Sequence, residues 1–192
     1  LKLANELRIA VGQLQGSLDG EQARVALSEL AGALLGGVLD IAGREIAARH
    51  GGFPAAAGDG RSTRGGHQGL AIIGYGSLGA CELGYSSDLD LVFLFESGAE
   101  ASDGTRPLPP ERYYARLAQR VLSFLTVMTP SGRLYEVDTR LRPNGRAGSL
   151  VSSIGAFREY QLKEAWTWEL QALTRARHVT GSQRVAARFN RV

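Results

Sequence analysis

The segment Ser87–Phe95 constrains the fold of this chain more than any other part of the sequence. The segment predicts a β-strand, in which a period of two puts Asp88 and Asp90 on one face and Leu89, Leu91, Phe93 and Phe95 on the other. The rise along a strand places the two carboxylates about 7 Å apart. A divalent cation such as Mg²⁺ relieves the repulsion between such charges. A surface strand with two solvated aspartates is the alternative that this segment alone leaves open.

A second signal stands upstream of these aspartates. The apolar run Leu70–Ile73 predicts a strand, and it is followed by a turn that contains Gly76 and Ser77. Glycine permits close approach of the backbone to a phosphate, and serine adds a hydroxyl group. A strand, Gly-Ser, about ten residues and then Asp-x-Asp on a second strand resembles the nucleotidyltransferase superfamily that includes DNA polymerase beta. This resemblance implies an α+β fold in which a small mixed sheet is flanked by helices.

A third strand is predicted over 133–139, and its alternation places Glu136, Asp138 and Arg140 on one face. A carboxylate here could complete a metal site or accept a proton as a general base. Alternation alone does not choose between Glu136 and Asp138. Arg140, Arg142 and Arg146 crowd the following turn, where they suit a leaving pyrophosphate, although a solvated loop has the same composition.

The rest of the chain divides into three parts. Residues 1–50 are predicted to form a pair of helices, 51–68 a glycine-rich flexible connector, and 69–192 the nucleotidyltransferase core. Within the core, a helix is predicted over 111–128, and 154–180 is predicted to be mostly helical. The core-facing side of the first of these helices is expected to carry Tyr114, Leu117, Val121, Leu125 and Met128.

Charge and cysteine content narrow the function classes. The net charge is +3, with 22 basic and 19 acidic residues, but residues 68–138 are acidic and 139–192 are basic. Such a division favours cation binding beside anion binding over one continuous nucleic-acid surface. The single cysteine, Cys81, excludes an internal disulfide framework and favours a reducing compartment. The longest apolar stretch, 30–39, is too short to span a bilayer, so no membrane partner is expected.

Longer motifs extend the resemblance to one family. The residues from Gly74 to Gly79, the Ser87–Leu91 segment, the Tyr135–Asp138 segment and the Arg140–Pro143 turn are similar to the bifunctional glutamine synthetase adenylyltransferase/adenylyl-removing enzymes. The stretch Glu164–Glu169, Glu-Ala-Trp-Thr-Trp-Glu, resembles the C-terminal, adenylylating half of that family. The similarity covers roughly residues 70–181. The chain is therefore expected to be a fragment of a larger enzyme.

The resemblance implies a reaction and a set of site residues. In this family AMP moves from ATP to a tyrosine hydroxyl of glutamine synthetase and pyrophosphate is released, which regulates nitrogen assimilation in the cytoplasm. Mg²⁺ is the implied cofactor, and a PII-type signalling protein is an implied partner of the full-length enzyme. By motif, the metal-binding and catalytic residues are Asp88, Asp90 and Asp138, with Asp138 as ligand or base. The nucleotide-binding residues are Gly76, Ser77, Arg140 and Arg142.

Other interpretations stay open from the sequence. The chain could belong to the adenylyl-removing half, which releases AMP by phosphorolysis, or it could transfer nucleotides to a small molecule or another protein. It could also be a non-catalytic docking module. Tyr160, Trp166 and Trp168 could stack on adenine, but packing in the core is the expectation. Cys81 stands where glycine is usual in the family, which bears on the tightness of that turn.

Overall fold

The computed structural model describes residues 1–53, 69–130 and 132–192, and the side chain of Arg146 lies outside the description. Seven α-helices and five β-strands form an α+β fold in the described part of the chain, in agreement with the predicted fold class. The elements in chain order are α1 (Lys2–Leu14), α2 (Gly20–His50), β1 (Leu70–Gly74), α3 (Gly76–Gly79), β2 (Leu89–Phe95), α4 (Pro110–Thr126), β3 (Val137–Asp138), β4 (Val151–Ser153), α5 (Ile154–Lys163), α6 (Thr167–Leu173), β5 (Arg177–Gly181) and α7 (Gln183–Phe189). A short 3-10 helix, Gly145–Ala147, precedes β4.

The five strands form one mixed sheet in the order β3-β2-β1-β5, with β4 also paired to β2. β1 is antiparallel to both β2 and β5, whereas β3 and β4 run parallel to β2. β3 pairs with the beginning of β2, and β4 pairs with its end. The central strands β1 and β2 are buried on both faces, because helices cover both sides of the sheet.

The alternation along β2 separates two hydrophobic clusters. Leu89, Leu91, Phe93 and Phe95 face the larger cluster, which lies between the sheet and the helices α2 and α4. Val92 and Leu94 face the second cluster, which includes residues of α5 and α7. The predicted apolar face of the strand is therefore confirmed, and the sheet lies between two helical layers.

The pair of N-terminal helices is confirmed, and the two helices differ in how far their apolar residues are buried. α2 begins with a capping box in which the Gln22 backbone N–H donates to Asp19 Oδ1 at 2.8 Å and the Asp19 N–H donates to Gln22 Oε1 at 2.9 Å. Its buried side is lined mainly by alanine and leucine. α1 has no buried residue, and its leucines at 3, 7 and 14 lie on the solvent side.

α2 bears on the expectation that the longest apolar stretch of the chain is too short to span a bilayer. Within the described ranges it is the one helix that is long and apolar enough to cross a membrane, by length and composition alone. The core helix of a soluble protein meets the same criterion. Leu27, Leu35 and Leu39 of this helix pack in the larger cluster with the sheet and α4. The predicted connector falls mostly on residues 54–68, which lie outside the described residues.

Three further expectations need correction. Met128 lies beyond the end of α4 and is 64% exposed, whereas the other four residues predicted for that helix face are fully buried. The third strand is only two residues long rather than spanning 133–139. The stretch 154–180 is mostly helical as predicted, because it contains α5 and α6, but its end forms β5, an edge strand beside β1 that was not expected.

Candidate active site

The antiparallel pairing of β1 and β2 brings the turn that contains Gly76 and Ser77 beside Asp90 of β2. Gly74 lies opposite Leu91, and one step further the Tyr75 N–H donates to the Asp90 carbonyl at 2.9 Å. Gly76 then adopts a φ of +56°, and a Cβ built on it would lie 2.6 Å from Asp90 Oδ2. Only glycine combines this backbone conformation with so close an approach. The turn is therefore shaped around the Asp90 carboxylate.

The parallel pairing of β2 and β3 brings the second acidic strand to the same place. Asp90 lies directly opposite Asp138, and the Leu89 N–H donates to the Glu136 carbonyl at 2.9 Å. Asp88, Asp90 and Asp138 each offer one carboxylate oxygen, and these three atoms lie within 4.8 Å of one another. Asp88 is exposed, whereas the other two are half-buried. We call these three residues the carboxylate triad.

Glu136, the other candidate on this strand, lies outside the triad. Its side chain is 69% exposed, and Oε1 forms an ion pair with Arg133 Nη1 at 3.0 Å. Glu136 precedes the two-residue strand β3, so the strict alternation expected for a longer strand does not govern its direction. The structure thus distinguishes the two carboxylates that alternation left equivalent.

Charge repulsion and burial both act on Asp90. Burial raises the pKa of this carboxyl group above its ordinary value of 3.8, and the charges of Asp88 and Asp138 raise it further. The guanidinium of Arg140 opposes the shift. An additional positive charge at this point would therefore favour the ionised form of the triad, which is the electrostatic condition for a cation site.

Arg140 is bound to the triad through Asp138. The Arg140 backbone N–H donates to Asp138 Oδ1 at 2.8 Å, and its Nε–H donates to Oδ2 at 2.6 Å. These hydrogen bonds raise the pKa of the guanidinium. The Arg140 side chain is 64% exposed, so this cation lies at the open side of the acidic cluster.

Arg142 is engaged by its own loop. Its Nη1 donates to the Thr139 carbonyl at 2.6 Å and to Thr139 Oγ1 at 2.8 Å, while Nε–H donates to the Gly148 carbonyl at 3.4 Å. The guanidinium therefore joins the two ends of the segment between β3 and β4. Contact between Arg142 and a phosphate stays a prediction, as does the phosphate role of Ser77, which is half-buried in α3 directly after Gly76.

Tyr160 and Glu169 were not identified as a pair from the sequence. The Tyr160 hydroxyl lies 3.0 Å from both carboxylate oxygens of Glu169, and the Trp166 N–H donates to Glu169 Oε2 at 2.8 Å. A glutamate three residues after a helix N-cap is a known capping signal, so part of this arrangement could have been found from the sequence. The expected core packing of the tryptophans is wrong, since Trp166 is 70% and Trp168 54% exposed.

These features define a class of protein. A mixed sheet with helices on both sides, a glycine turn after β1 and carboxylates on β2 and β3 form a nucleotidyltransferase-like core. The family comparison specifies this class further. The model of the glutamate-ammonia ligase adenylyltransferase family matches residues 1–192, and the chain belongs to that family.

Curated relatives agree with the family assignment. The chain is 50% identical to a bifunctional glutamine synthetase adenylyltransferase/adenylyl-removing enzyme of Stenotrophomonas maltophilia (strain K279a), over 100% of this chain and 20% of that protein. Proteins of the same name from Pseudomonas syringae pv. tomato and Pseudomonas aeruginosa are 47% and 46% identical, each over 100% of this chain and 19% of the relative. The chain thus spans about a fifth of the length of these relatives.

Proposed function

We propose that this chain carries the transfer site of a glutamine synthetase adenylyltransferase. In this proposal AMP moves from ATP to a tyrosine hydroxyl of glutamine synthetase, and pyrophosphate is released. The observation that carries the proposal is the carboxylate triad, whose oxygens converge within 4.8 Å beside the Gly76 turn. Family membership and the names of the relatives support the choice of acceptor protein. The resemblance of Glu164–Glu169 supports the adenylylating half over the other half.

The donor set of the triad fits Mg²⁺. This ion prefers hard oxygen ligands in an octahedral shell at 2.0–2.1 Å, which places ligand oxygens roughly 3 to 4 Å apart, and it is usually held by one or two carboxylates together with substrate phosphates. The three carboxylates of the triad supply such oxygens, which lie within 4.8 Å of one another, so small side-chain rotations would bring them to this spacing. Asp88, Asp90 and Asp138 would hold the ion. When bound, it would neutralise negative charge on the triphosphate of ATP.

The residues of the chain have separate roles in the proposed reaction. The tyrosine hydroxyl of the acceptor loses its proton to solvent water as its oxygen bonds to the α-phosphorus, and the bond from this phosphorus to the oxygen that bridges it to the β-phosphorus breaks. The electron pair leaves with pyrophosphate. Arg140, at the open side of the triad, is placed to offset charge on the leaving group. Gly76 and Ser77 would border the phosphates, and Arg142 would support them from the loop.

The position of Asp138 favours a metal-binding role over a general-base role. Both of its oxygens accept hydrogen bonds from Arg140, which leaves fewer lone pairs for a proton of the acceptor. One of its oxygens also converges with oxygens of Asp88 and Asp90 within 4.8 Å, which is the arrangement of a shared cation site. Asp138→Asn should therefore weaken binding of the metal itself, measured by titration with Mn²⁺ in the absence of nucleotide, and not only the rate of transfer.

The proposed function is tested first by binding and then by transfer. Calorimetry with ATP should show binding that requires Mg²⁺, and Asp88→Asn and Asp90→Asn should abolish it. Glu136→Gln is the matched control, because it removes a neighbouring carboxylate that lies outside the triad. Transfer of radioactive AMP to glutamine synthetase should likewise be lost in Asp88→Asn and Asp90→Asn and retained in Glu136→Gln. Absence of Mg²⁺-dependent ATP binding in the wild type would favour a docking module instead.

The adenylyl-removing reaction is the second candidate, because the relatives are bifunctional by name. It is distinguished by incubating adenylylated glutamine synthetase with the chain and inorganic phosphate, since phosphorolysis yields ADP. ADP formation without transfer from ATP would reverse the proposed assignment to one half of the enzyme. Contact with a PII-type protein is proposed only for the longer enzyme.

A further inference from the structure

Arg177, at the start of the edge strand β5, lies beside the turn that begins at Gly76. β5 pairs with β1 so that Arg177 is opposite Gly74, the last residue of β1. The Arg177 side chain is part-buried, and its Nε–H donates to the backbone carbonyl of Leu78 at 3.1 Å. Leu78 belongs to α3, the one-turn helix that starts at Gly76. A residue far away in sequence therefore bonds directly to the helix of the proposed phosphate-binding turn.

The Leu78 carbonyl depends on this donor. Leu78 is fully buried, and the Cys81 N–H reaches its carbonyl only at the longer distance of 3.3 Å. Cys81 also has a φ of +59°, a left-handed backbone that is unfavourable for a residue with a Cβ atom. A buried carbonyl that loses its shorter hydrogen bond is left poorly solvated, which costs free energy. Loss of the Arg177 donor would therefore loosen the end of α3.

Packing brings the start of β5 against the same helix. A Cβ built on Gly79 would overlap the Arg175 carbonyl oxygen, so the absence of a side chain allows α3 to approach this segment closely. A Cβ built on Gly74 would lie 2.8 Å from side-chain atoms of both Leu78 and Val179. The segment at the start of β5 thus forms a wall for α3, and the guanidinium supplies a hydrogen bond across this contact.

The other end of α3 is joined to the carboxylate triad. The Tyr75 N–H donates to the Asp90 carbonyl at 2.9 Å, and the Gly79 N–H donates to the Tyr75 carbonyl at 3.0 Å. Gly76 follows Tyr75 and lies against the Asp90 carboxylate. The short helix is therefore held between Asp90 of β2 on one side and Arg177 of β5 on the other.

We propose that Arg177 is a positioning residue that holds α3, and with it Gly76 and Ser77, in place beside the carboxylate triad. This inference rests on the proposed function, because Gly76 and Ser77 are taken to border the phosphates of ATP. Arg177 acts through its Nε–H on a backbone carbonyl, so the role requires no contact with the metal or the nucleotide.

The test compares two replacements whose side chains have the same reach. The amide nitrogen of glutamine is as many bonds from Cα as Nε of arginine, so Arg177→Gln keeps a donor for the Leu78 carbonyl without the charged guanidinium. Arg177→Met has a methyl group at that point and removes the donor. The dissociation constant of ATP with Mg²⁺ should rise about 3- to 10-fold in Arg177→Met, the effect of one lost hydrogen bond, and stay within about twofold of the wild type in Arg177→Gln.

Hydrogen exchange measures the hold on α3 without any nucleotide. The N–H groups of Gly79, Ala80 and Glu82 donate to carbonyls at the start of the helix at 3.0, 3.0 and 2.7 Å. In Arg177→Met these amides should exchange faster, while the amides of β1 and β2 remain protected. In Arg177→Gln they should exchange as in the wild type.

Arg184→Met is the matched control. Arg184 pairs with Glu96 at 2.9 Å, and Arg188 pairs with the same carboxylate. Glu96 follows the end of β2, which lies beside the start of β1 and therefore at the end of that strand away from Gly76. This variant removes an arginine from the same part of the chain and should leave both ATP affinity and exchange at 79–82 unchanged.

The outcomes separate this inference from the proposed function. Equal loss of ATP affinity in both Arg177 variants, with exchange at 79–82 unchanged, would show that the charge acts on the nucleotide and would overturn the positioning role. Wild-type affinity and exchange in Arg177→Met would overturn it as well. A wild-type chain that binds no ATP with Mg²⁺ would overturn the proposed function, and exchange at 79–82 would still decide whether Arg177 holds α3.

Discussion

Replacing Asp90 with asparagine should stabilise the metal-free fold while it abolishes the metal site. The three triad oxygens lie within 4.8 Å of one another, and two unit charges near this separation repel by about 1 kcal/mol in water and by about 4 kcal/mol at an effective dielectric constant of 20. Asp88 is exposed and therefore well screened, and Arg140 partly neutralises Asp138. A net gain of about 1 to 2 kcal/mol in the free energy of unfolding follows for Asp90→Asn.

The sign of the pH dependence agrees with this expectation. Burial and the neighbouring carboxylates raise the pKa of Asp90 in the folded chain above 3.8. A carboxyl group with a raised folded pKa contributes stability below its unfolded pKa and loses that contribution as pH rises through the folded value. At neutral pH the ionised Asp90 thus destabilises the fold, and asparagine removes this penalty without a change of shape.

Thermal unfolding with and without Mg²⁺ measures the effect. Without metal, Asp90→Asn should raise the midpoint by about 2 to 8 °C, since 1 kcal/mol corresponds to about 2 to 4 °C in a chain of this size. A Mg²⁺ concentration ten times the dissociation constant should stabilise the wild type by about 1.4 kcal/mol and the variant by almost nothing. The stability advantage of Asp90→Asn over the wild type should therefore shrink or change sign on addition of Mg²⁺.

The control and the refuting result are both specific. Glu136→Gln removes an exposed carboxylate beside the triad and should change the free energy of unfolding by less than about 0.5 kcal/mol, with the Mg²⁺ response intact. If Asp90→Asn is less stable than the wild type without metal, the repulsion in the triad does not dominate. If the variant keeps the full Mg²⁺ response, Asp90 is not a ligand.

Three other predictions follow from backbone conformation and burial. Cys81 has a φ of +59°, so Cys81→Gly should raise stability by about 0.5 to 1 kcal/mol in urea unfolding, whereas Cys81→Val should lower it. Gly76→Ala should cost about 1 to 2 kcal/mol and weaken Mn²⁺ binding about tenfold, because its Cβ would meet Asp90 Oδ2, whereas Gly155→Ala, which meets open space, should do neither. Burial lowers the pKa of His178 below 6.5, so stability should fall as pH drops below 6.5, by up to about 1.4 kcal/mol per pH unit, and His178→Gln should flatten this slope.

The elements that the sequence predicts well have their pattern fixed by the core. Side chains along β2 point alternately into two hydrophobic clusters, and the positions that face the larger cluster are all apolar. The helix α4 is similar, since Tyr114, Leu117 and Val121 are fully buried on one side. The local sequence pattern is enough to predict both β2 and α4, because their buried positions carry apolar side chains at the spacing of a strand or a helix.

The strand β5 escapes the same reasoning for a physical reason. Its five residues, Arg177–Gly181, are all half-buried and include arginine and histidine, so they carry little of the apolar alternation of a strand. They form a strand because they pair with the hydrogen-bonding edge of β1 that β2 does not occupy, with a register irregularity between Ile72 and Ile73. This pairing is a long-range property, and no local propensity in 154–180 expresses it. Packing of Val179 against α2 then fixes the strand in place.

The site depends on long-range register in the same way as β5. The pairing of Asp90 with Asp138 joins residues far apart in sequence through a strand of only two residues. So short a strand contributes few ladder bonds, so the position of Asp138 must depend on what holds the chain on either side of it. On one side is the sheet itself. On the other side the turn is held by Arg142, whose guanidinium donates to the carbonyls of Thr139 and Gly148, so the geometry of a carboxylate on β3 is determined in part by the loop that follows the strand.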